Sequence, residues 1–310
     1  MPPKPLLKGY AFALLATVAG STVYIFSKAA LNEVSLPQFG FYWFSMAILW
    51  NVLFTMRSAE HRHFHSISMN TLKVLILIGF IELIATGTFY AAISVSKNPA
   101  IPSFLRNMEY IFVTLMGVFI LRERFSLMEV IGIILTISGV LVISYNKNAS
   151  FQSYFTGSAG LMMISTIFYA ARTITVKNHI KSISPTILAI NRAIFLFLFA
   201  AIMLKALGFS LAIPTKALIN IIIGSFLGPF LTSYGQYSAL KYLEASRSVI
   251  IQSTTALFVL LGAYLYFGQF PMAYQVAGGI LAIIGAMLLV AGKKINFRNK
   301  HNTRHQPKLS

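Results

Sequence analysis

Residues 122–143, RERFSLMEVIGIILTISGVLVI, and residues 268–289, GQFPMAYQVAGGILAIIGAMLL, carry one pattern written twice. Superposed, they put Glu123 on Gln269, Glu129 on Gln275, Gly132 on Gly278 and Gly139 on Gly285. With one residue of slippage upstream, Tyr90 falls on Tyr237 and Ala92 on Ala239. Each copy is a short polar cluster followed by a long apolar run. The two glycines of each run lie two helical turns apart on one face, a placement that lets helices approach closely in a bilayer. The repeat extends outward. The first apolar run of each half ends in a lysine, Lys28 and Lys177, and each half then reaches a proline, Pro37 and Pro185, at the opening of its second run.

The composition agrees with a membrane chain. Of 310 residues, 57% are hydrophobic and 10% charged, and the mean hydropathy is +0.74. A soluble domain would be about a quarter charged. The net charge is +18, but the basic residues sit in short connections between apolar runs. That is the pattern of loops in a polytopic membrane protein, and no nucleic-acid partner is expected. The absence of cysteine removes disulfides and thiolate metal sites. His61, His63 and His65 alternate within one connection, where a solvated loop is expected rather than a metal site. No nucleophile–base arrangement stands within the apolar runs, so neither an enzyme nor a cofactor is expected.

A helix crossing the hydrocarbon core needs roughly 20 mostly apolar residues. Ten such spans are expected, at 8–28, 36–56, 72–94, 99–121, 126–145, 157–177, 185–205, 217–240, 245–267 and 271–292. The N-terminal run is too long for the core of a signal peptide and reads as the first span. If the N-terminus is cytoplasmic, most Lys and Arg fall in cytoplasmic segments, while Lys28, Lys97, Lys147, Lys205 and Lys216 fall outside. That bias puts both termini in the cytoplasm. The expected location is a cell membrane, the bacterial inner membrane, with multiple passes.

The expected fold is an all-α integral membrane protein with ten transmembrane helices in two inverted five-helix repeats. The divisions are 1–148 for the first repeat, 149–292 for the second, and 293–310 for a basic, disordered cytoplasmic tail near anionic lipid headgroups. Five spans per half force opposite orientations, and inverted halves are a common construction of secondary transporters.

These features together resemble the drug/metabolite transporter superfamily, and within it the EamA-like family. The resemblance is carried by the five-plus-five repeat, by ALKYLEASRS at 239–248 before the ninth span, and by LRERFSLMEVIGIILTISGVLVI at 121–143 across the fourth and fifth spans. It covers residues 8–292. The family usually closes its fourth and ninth spans with Gly-Glu; here Glu123 keeps the acid, but its repeat mate is Gln269. The family often has Arg in the second and seventh spans; here Arg192 is in the seventh, and Phe44 stands at the matching place in the second. The resemblance therefore implies an asymmetric substrate path.

Charges within spans are costly, about 2.5–3.5 kcal/mol each at the bilayer centre, and they mark the candidate site. They are Glu82 in span 3, Arg106 and Glu109 in span 4, Arg172 in span 6 and Arg192 in span 7. Arg106 and Glu109 share a helix face one turn apart. Two readings stand for them: an ion pair holding helices in register, or a substrate and proton site. Glu82, Arg106 and Glu109 are expected to cluster near the midplane. Arg172 and Arg192 either bring positive charge from the other half or snorkel to lipid. Asn107, Tyr90, Tyr237, Gln236, Gln252 and Trp43 are further candidate lining residues, and Trp50 is read as an interface anchor.

Arginine grips carboxylate or phosphate with paired hydrogen bonds, and a carboxylate beside a movable Arg can load and release protons. The expected function is a secondary transporter, exporter or exchanger, of a small anionic or zwitterionic metabolite such as an amino acid. It would work by alternating access, with protons as a candidate coupling ion. A channel and a non-transporting receptor or scaffold are the alternatives. The expected partners are a small-molecule substrate and membrane lipid, and the protein is expected as a monomer or homodimer.

Overall fold

The computed structural model describes residues 4–57, 68–121, 126–145, 157–179, 183–242 and 251–304. Among these, every regular element is helical. The helices are α1 (Lys4–Leu31), α2 (Leu36–Arg57), α3 (Met69–Val95), α4 (Ala100–Leu105), α5 (Met108–Leu121), α6 (Leu127–Ser144), α7 (Ser158–His179), α8 (Pro185–Ala206) and α9 (Thr215–Ser225). A π-helical segment, Phe226–Thr232, joins α9 to α10 (Ser233–Tyr242); α11 (Thr255–Phe267) and α12 (Ala273–Arg304) follow. Six stretches are long and apolar enough to cross a membrane: Leu7–Leu31, Leu36–Met56, Met69–Val95, Ser158–Val176, Thr186–Ala206 and Thr215–Gln236. Shorter apolar helices cover Leu127–Ile143, Ile251–Phe267 and Ala273–Leu288. Large apolar side chains such as Leu141, Ile202 and Leu265 face outward, as a lipid-solvated surface requires.

Local signals set the helix ends. Ser68 accepts a hydrogen bond from the Thr71 amide, and Ser184 accepts one from Ile187 just before Pro185. At α6, Ser126 and Glu129 form a reciprocal capping box, which satisfies two of the helix's orphan donors. Gly268 ends α11 at φ +64°, a left-handed conformation that glycine adopts without steric cost.

The principal packing runs between the two halves of the chain and comes in matched pairs. Helix α3 packs on α7, and its repeat equivalent, the α9–α10 unit, packs on α1. Helix α5 packs on α7, and α11 on α1. Helix α3 meets α8, and α9 meets α2. Two contacts map onto themselves when the halves are exchanged, α2 with α8 and α6 with α12. At the α6–α12 seam, backbones touch through the repeated glycines. A Cβ on Gly139 would stand 2.5 Å from the Gly278 carbonyl oxygen, and one on Gly285 would stand 2.5 Å from the Thr136 amide nitrogen.

Three features differ from the sequence reading. The fourth span is not one helix over 99–121: it breaks at Arg106–Asn107 between α4 and α5. Short-range bonds tighten the chain there, Asn107 N–H to Phe104 O at 3.1 Å, Glu109 N–H to Arg106 O at 2.9 Å and Tyr110 N–H to Asn107 O at 3.2 Å. The Asn107 side chain also donates to Phe104 O at 3.0 Å. The same offset that pairs Tyr90 with Tyr237 pairs Asn107 with Thr254, where the ninth apolar run breaks in the same way, Thr254 N–H reaching Ile251 O at 3.2 Å. Second, the segment after 292 continues as helix to Arg304; no proline or glycine interrupts it before Pro307. Third, Trp50, expected as an interface anchor, turns its Nε1–H to Ser225 Oγ at 3.1 Å and ties α2 to α9. Residues 58–67 with their three histidines, and Glu123, lie outside the described residues.

Candidate functional site

Glu82 is the hub. Its side chain is 1% exposed, on the face of α3 that meets α7 and α8. Arg172 Nη1 from α7 donates to one carboxylate oxygen at 3.2 Å, and Arg192 Nε from α8 forms an ion pair with the other at 3.2 Å without hydrogen-bond geometry. Thr86, one turn along α3, donates to Glu82 Oε2 at 3.0 Å. The Thr86 hydroxyl has one proton, so toward Arg192 Nη2 at 3.2 Å and the Tyr169 hydroxyl at 3.0 Å it acts as acceptor. Arg192 Nη1 reaches Ser233 Oγ at 3.4 Å, just beyond the π segment. The carboxylate thus joins the first half of the chain to the second by two charge-assisted contacts.

Glu109 is held more loosely. Arg106 Nε lies 3.4 Å from one oxygen; Thr173 Oγ1 and Arg172 Nη2 lie 3.3 and 3.8 Å from the other. Arg172 therefore bridges the two carboxylates. The Arg106 and Arg172 guanidiniums both lie over the Tyr169 ring, at 4.5 and 4.7 Å from its centre, close enough for cation–π attraction.

Beside this network is a cavity of about 290 Å³. Eight of the residues anticipated from sequence line it: Tyr90, Arg106, Asn107, Glu109, Arg172, Arg192, Gln236 and Gln252. Gln236 and Gln252 are bonded to each other at 3.0 Å. Glu82 is not in the lining; it stands behind Arg172 and Arg192 and orients them. Trp43 is not in the lining either. It is fully buried in the core against Phe39 and Tyr90, where Gly224 and Gly228 leave room for its ring. The side chain of Tyr237 lies outside the described residues.

Sequence reasoning missed Tyr24, Phe89, Tyr169, Thr173, Thr232 and Ser233, all in the lining. Single aromatics and hydroxyls are ordinary in membrane helices. A usable signal was available for Tyr169, one turn before Arg172, and for Thr86, one turn after Glu82.

Contacts sort the helix ends into two groups. At one end Lys8 Nζ lies over the Tyr242 ring, and Asn191 donates to Leu75 O. At the other, Lys28 Nζ donates to Ser94 O at 2.9 Å, Tyr42 to Leu211 O at 2.6 Å and Gln38 to Ser210 O at 2.8 Å. The cavity reaches Val176, Gln236 and Gln252, toward the first end. Toward the second it meets Tyr90, with Phe39 and Trp43 packed behind that ring.

Comparison with known proteins agrees with this architecture. A family model described as the EamA-like transporter family matches residues 7–145 and again residues 157–291. An uncharacterized transporter from Archaeoglobus fulgidus is 28% identical over 202 residues, 62% of this chain and 68% of the relative. One crystal structure, titled only as that of a protein, superposes with a TM-score of 0.65 at 12% identity, covering 94% of this chain and 98% of the other; it speaks to fold alone. The double family match spans nearly all of the described helices, and the chain belongs to the EamA-like transporter family of the drug/metabolite transporter superfamily.

Proposed function

We propose that the protein is a ten-pass carrier of a small anionic or zwitterionic metabolite, working by alternating access between inverted halves. The observation that carries the substrate reading is the convergence of three guanidiniums on one cavity. Arg106, Arg172 and Arg192 all line it, and a desolvated guanidinium fork recognises carboxylate or phosphate. The matched contacts between halves and the recurrent breaks at Asn107 and Thr254 support the inverted repeat. Discontinuous helices at corresponding places in two halves commonly flank transporter binding sites.

The cavity reaches the end of the bundle where the chain begins, the cytoplasmic end on the Lys/Arg bias, and the Lys28, Tyr42 and Gln38 bonds join elements at the far end. The structure is therefore read as an inward-facing state. Glu82 is locked between two arginines and serves as the joint between halves. Glu109, with longer contacts, is the carboxylate free to change partner, and it is assigned any proton exchanged during the cycle.

The test is counterflow in proteoliposomes loaded with unlabelled amino and organic acids. The carrier reading predicts saturable uptake of labelled solute, accelerated by the same solute on the opposite side. Conductance without trans-stimulation would make the protein a channel, and neither would make it a scaffold.

A further inference from the structure

The three arginines of the cavity are not equivalent, and their differences single out one seat. Arg172 and Arg192 are both committed to Glu82. Arg106 is the most exposed of the three, at 27%. Only its Nε faces a carboxylate, Glu109, at 3.4 Å. Its two Nη groups hold no hydrogen bond or ion pair among the described residues. Beneath the guanidinium lies the Phe89 ring, 5.4 Å from its centre, and that ring packs edge-on against Tyr24, centroids 5.1 Å apart.

Tyr24 is the second, independent observation. It lines the cavity, is only 2% exposed, and its hydroxyl has no hydrogen-bond partner. A buried hydroxyl without a partner costs free energy comparable to a lost hydrogen bond, so native structures normally fill such a vacancy. The Arg106 guanidinium interacts with this hydroxyl, but too loosely to complete a hydrogen bond of good geometry. Two open donors, the Arg106 Nη edge and the Tyr24 O–H, therefore face one space, and nothing among the described residues accepts from them.

Charge decides the class of acceptor. The network holds Arg106, Arg172 and Arg192 against Glu82 and Glu109, which leaves one positive charge uncompensated. A single carboxylate closes that balance. A phosphate dianion overshoots it, and a cation adds to the excess.

We infer that Arg106 and Tyr24 form the seat for a single carboxylate, and that the transported solute is a monocarboxylate whose remaining atoms fit among Phe89, Tyr90 and Tyr110. This rests on the carrier reading for its transport role but not for its binding chemistry.

The experiment is calorimetric titration of the detergent-purified full chain with benzoate, benzamide and benzylamine. These probes share a ring and differ in charge. Benzoate should bind, with benzamide at least about tenfold weaker, since hydrogen bonds to a charged group are the stronger ones. Tyr24→Phe removes one hydroxyl and should weaken benzoate about tenfold. Arg106→Lys keeps the charge, loses the paired edge, and should weaken benzoate further. Thermal unfolding confirms that each variant is folded; if Tyr24→Phe is not, Arg106→Lys decides. No binding of benzoate, equal binding of benzamide, preference for benzylamine, or unchanged benzoate affinity in a folded variant would each overturn the seat. Benzoate binding without counterflow of any solute would keep the seat and remove the carrier. Counterflow of amines without benzoate binding would do the reverse.

Discussion

Glu82 shows how much one side chain can organise. It is buried, it carries a full charge, and its two oxygens hold arginines from two other helices. Removing a partner from a buried pair costs about 3–5 kcal/mol, because the remaining charge stays desolvated. Glu82→Gln keeps the volume but leaves Arg192 without its anion and Arg172 with only Glu109, at 3.8 Å. We expect it to lower the thermal unfolding midpoint in detergent by several degrees and to abolish transport. Arg106→Lys, at the open wall of the cavity, should leave the midpoint nearly unchanged, and equal losses in the two variants would contradict this division of roles. Glu109→Gln should lower the transport rate while leaving the fold intact; wild-type transport in that variant would reduce Glu109 to a structural partner. The charges themselves were legible in the sequence, since a charge in an apolar run stands out. So was the Arg106–Glu109 pair, by helical spacing. The partners of Glu82 were not, because Arg172 and Arg192 are distant in sequence and no local rule couples them. Tyr24 was invisible for another reason: a tyrosine in a membrane helix is commonplace, and only its unpartnered hydroxyl distinguishes it.

At the scale of the helix, the apolar runs located the long helices, and the glycine spacing anticipated close helix packing but not that α6 and α12 are the partners. That seam makes a sharp prediction. Gly285→Ala places a methyl against the Thr136 amide nitrogen and the Gly132 carbonyl oxygen, at 2.5 and 2.7 Å. Backbone cannot yield as a flexible side chain can, so overpacking of about 1–3 kcal/mol is expected. The loss would appear as a lowered unfolding midpoint. Gly87→Ala, with open space around the new methyl, should be neutral and is the control. The helix breaks were not legible. Arg106–Asn107 and Thr254 contain neither proline nor glycine, and the polar residues gathered there, Arg106, Asn107 and Glu109 in one half and Gln252–Thr255 in the other, do not by themselves mark a helix break. Pro229 lies within the π segment, where the backbone accommodates its missing N–H. Thr232 Oγ1 donates to Leu227 O at 2.8 Å, and the widened turn brings Gly228, Pro229, Thr232 and Ser233 to the cavity wall.

For the molecule as a whole, the principal contacts join one half to the other rather than each half to itself. Each of these contacts has a counterpart in the other half, which is what the proposed exchange of states would use. Sequence self-similarity revealed the repeat but not this interleaving, which depends on which faces meet in three dimensions. The asymmetry lies in the chemistry: α3, α4, α5, α7 and α8 border the charges, while the repeat mates of Arg106 and Glu109 near Gln252 and Thr255 are uncharged.

The chain contains no cysteine, so a single introduced thiol reports without background. Ser103 lines the cavity, and Ser103→Cys is nearly isosteric. The most direct test is labelling of this variant by a membrane-impermeant maleimide, in vesicles of each orientation, with and without a substrate gradient. The account predicts labelling from the side bearing the N-terminus in the resting state, shifting to the opposite side when substrate drives the exchange. Labelling from both sides at once, or from one side under every condition, would contradict alternating access.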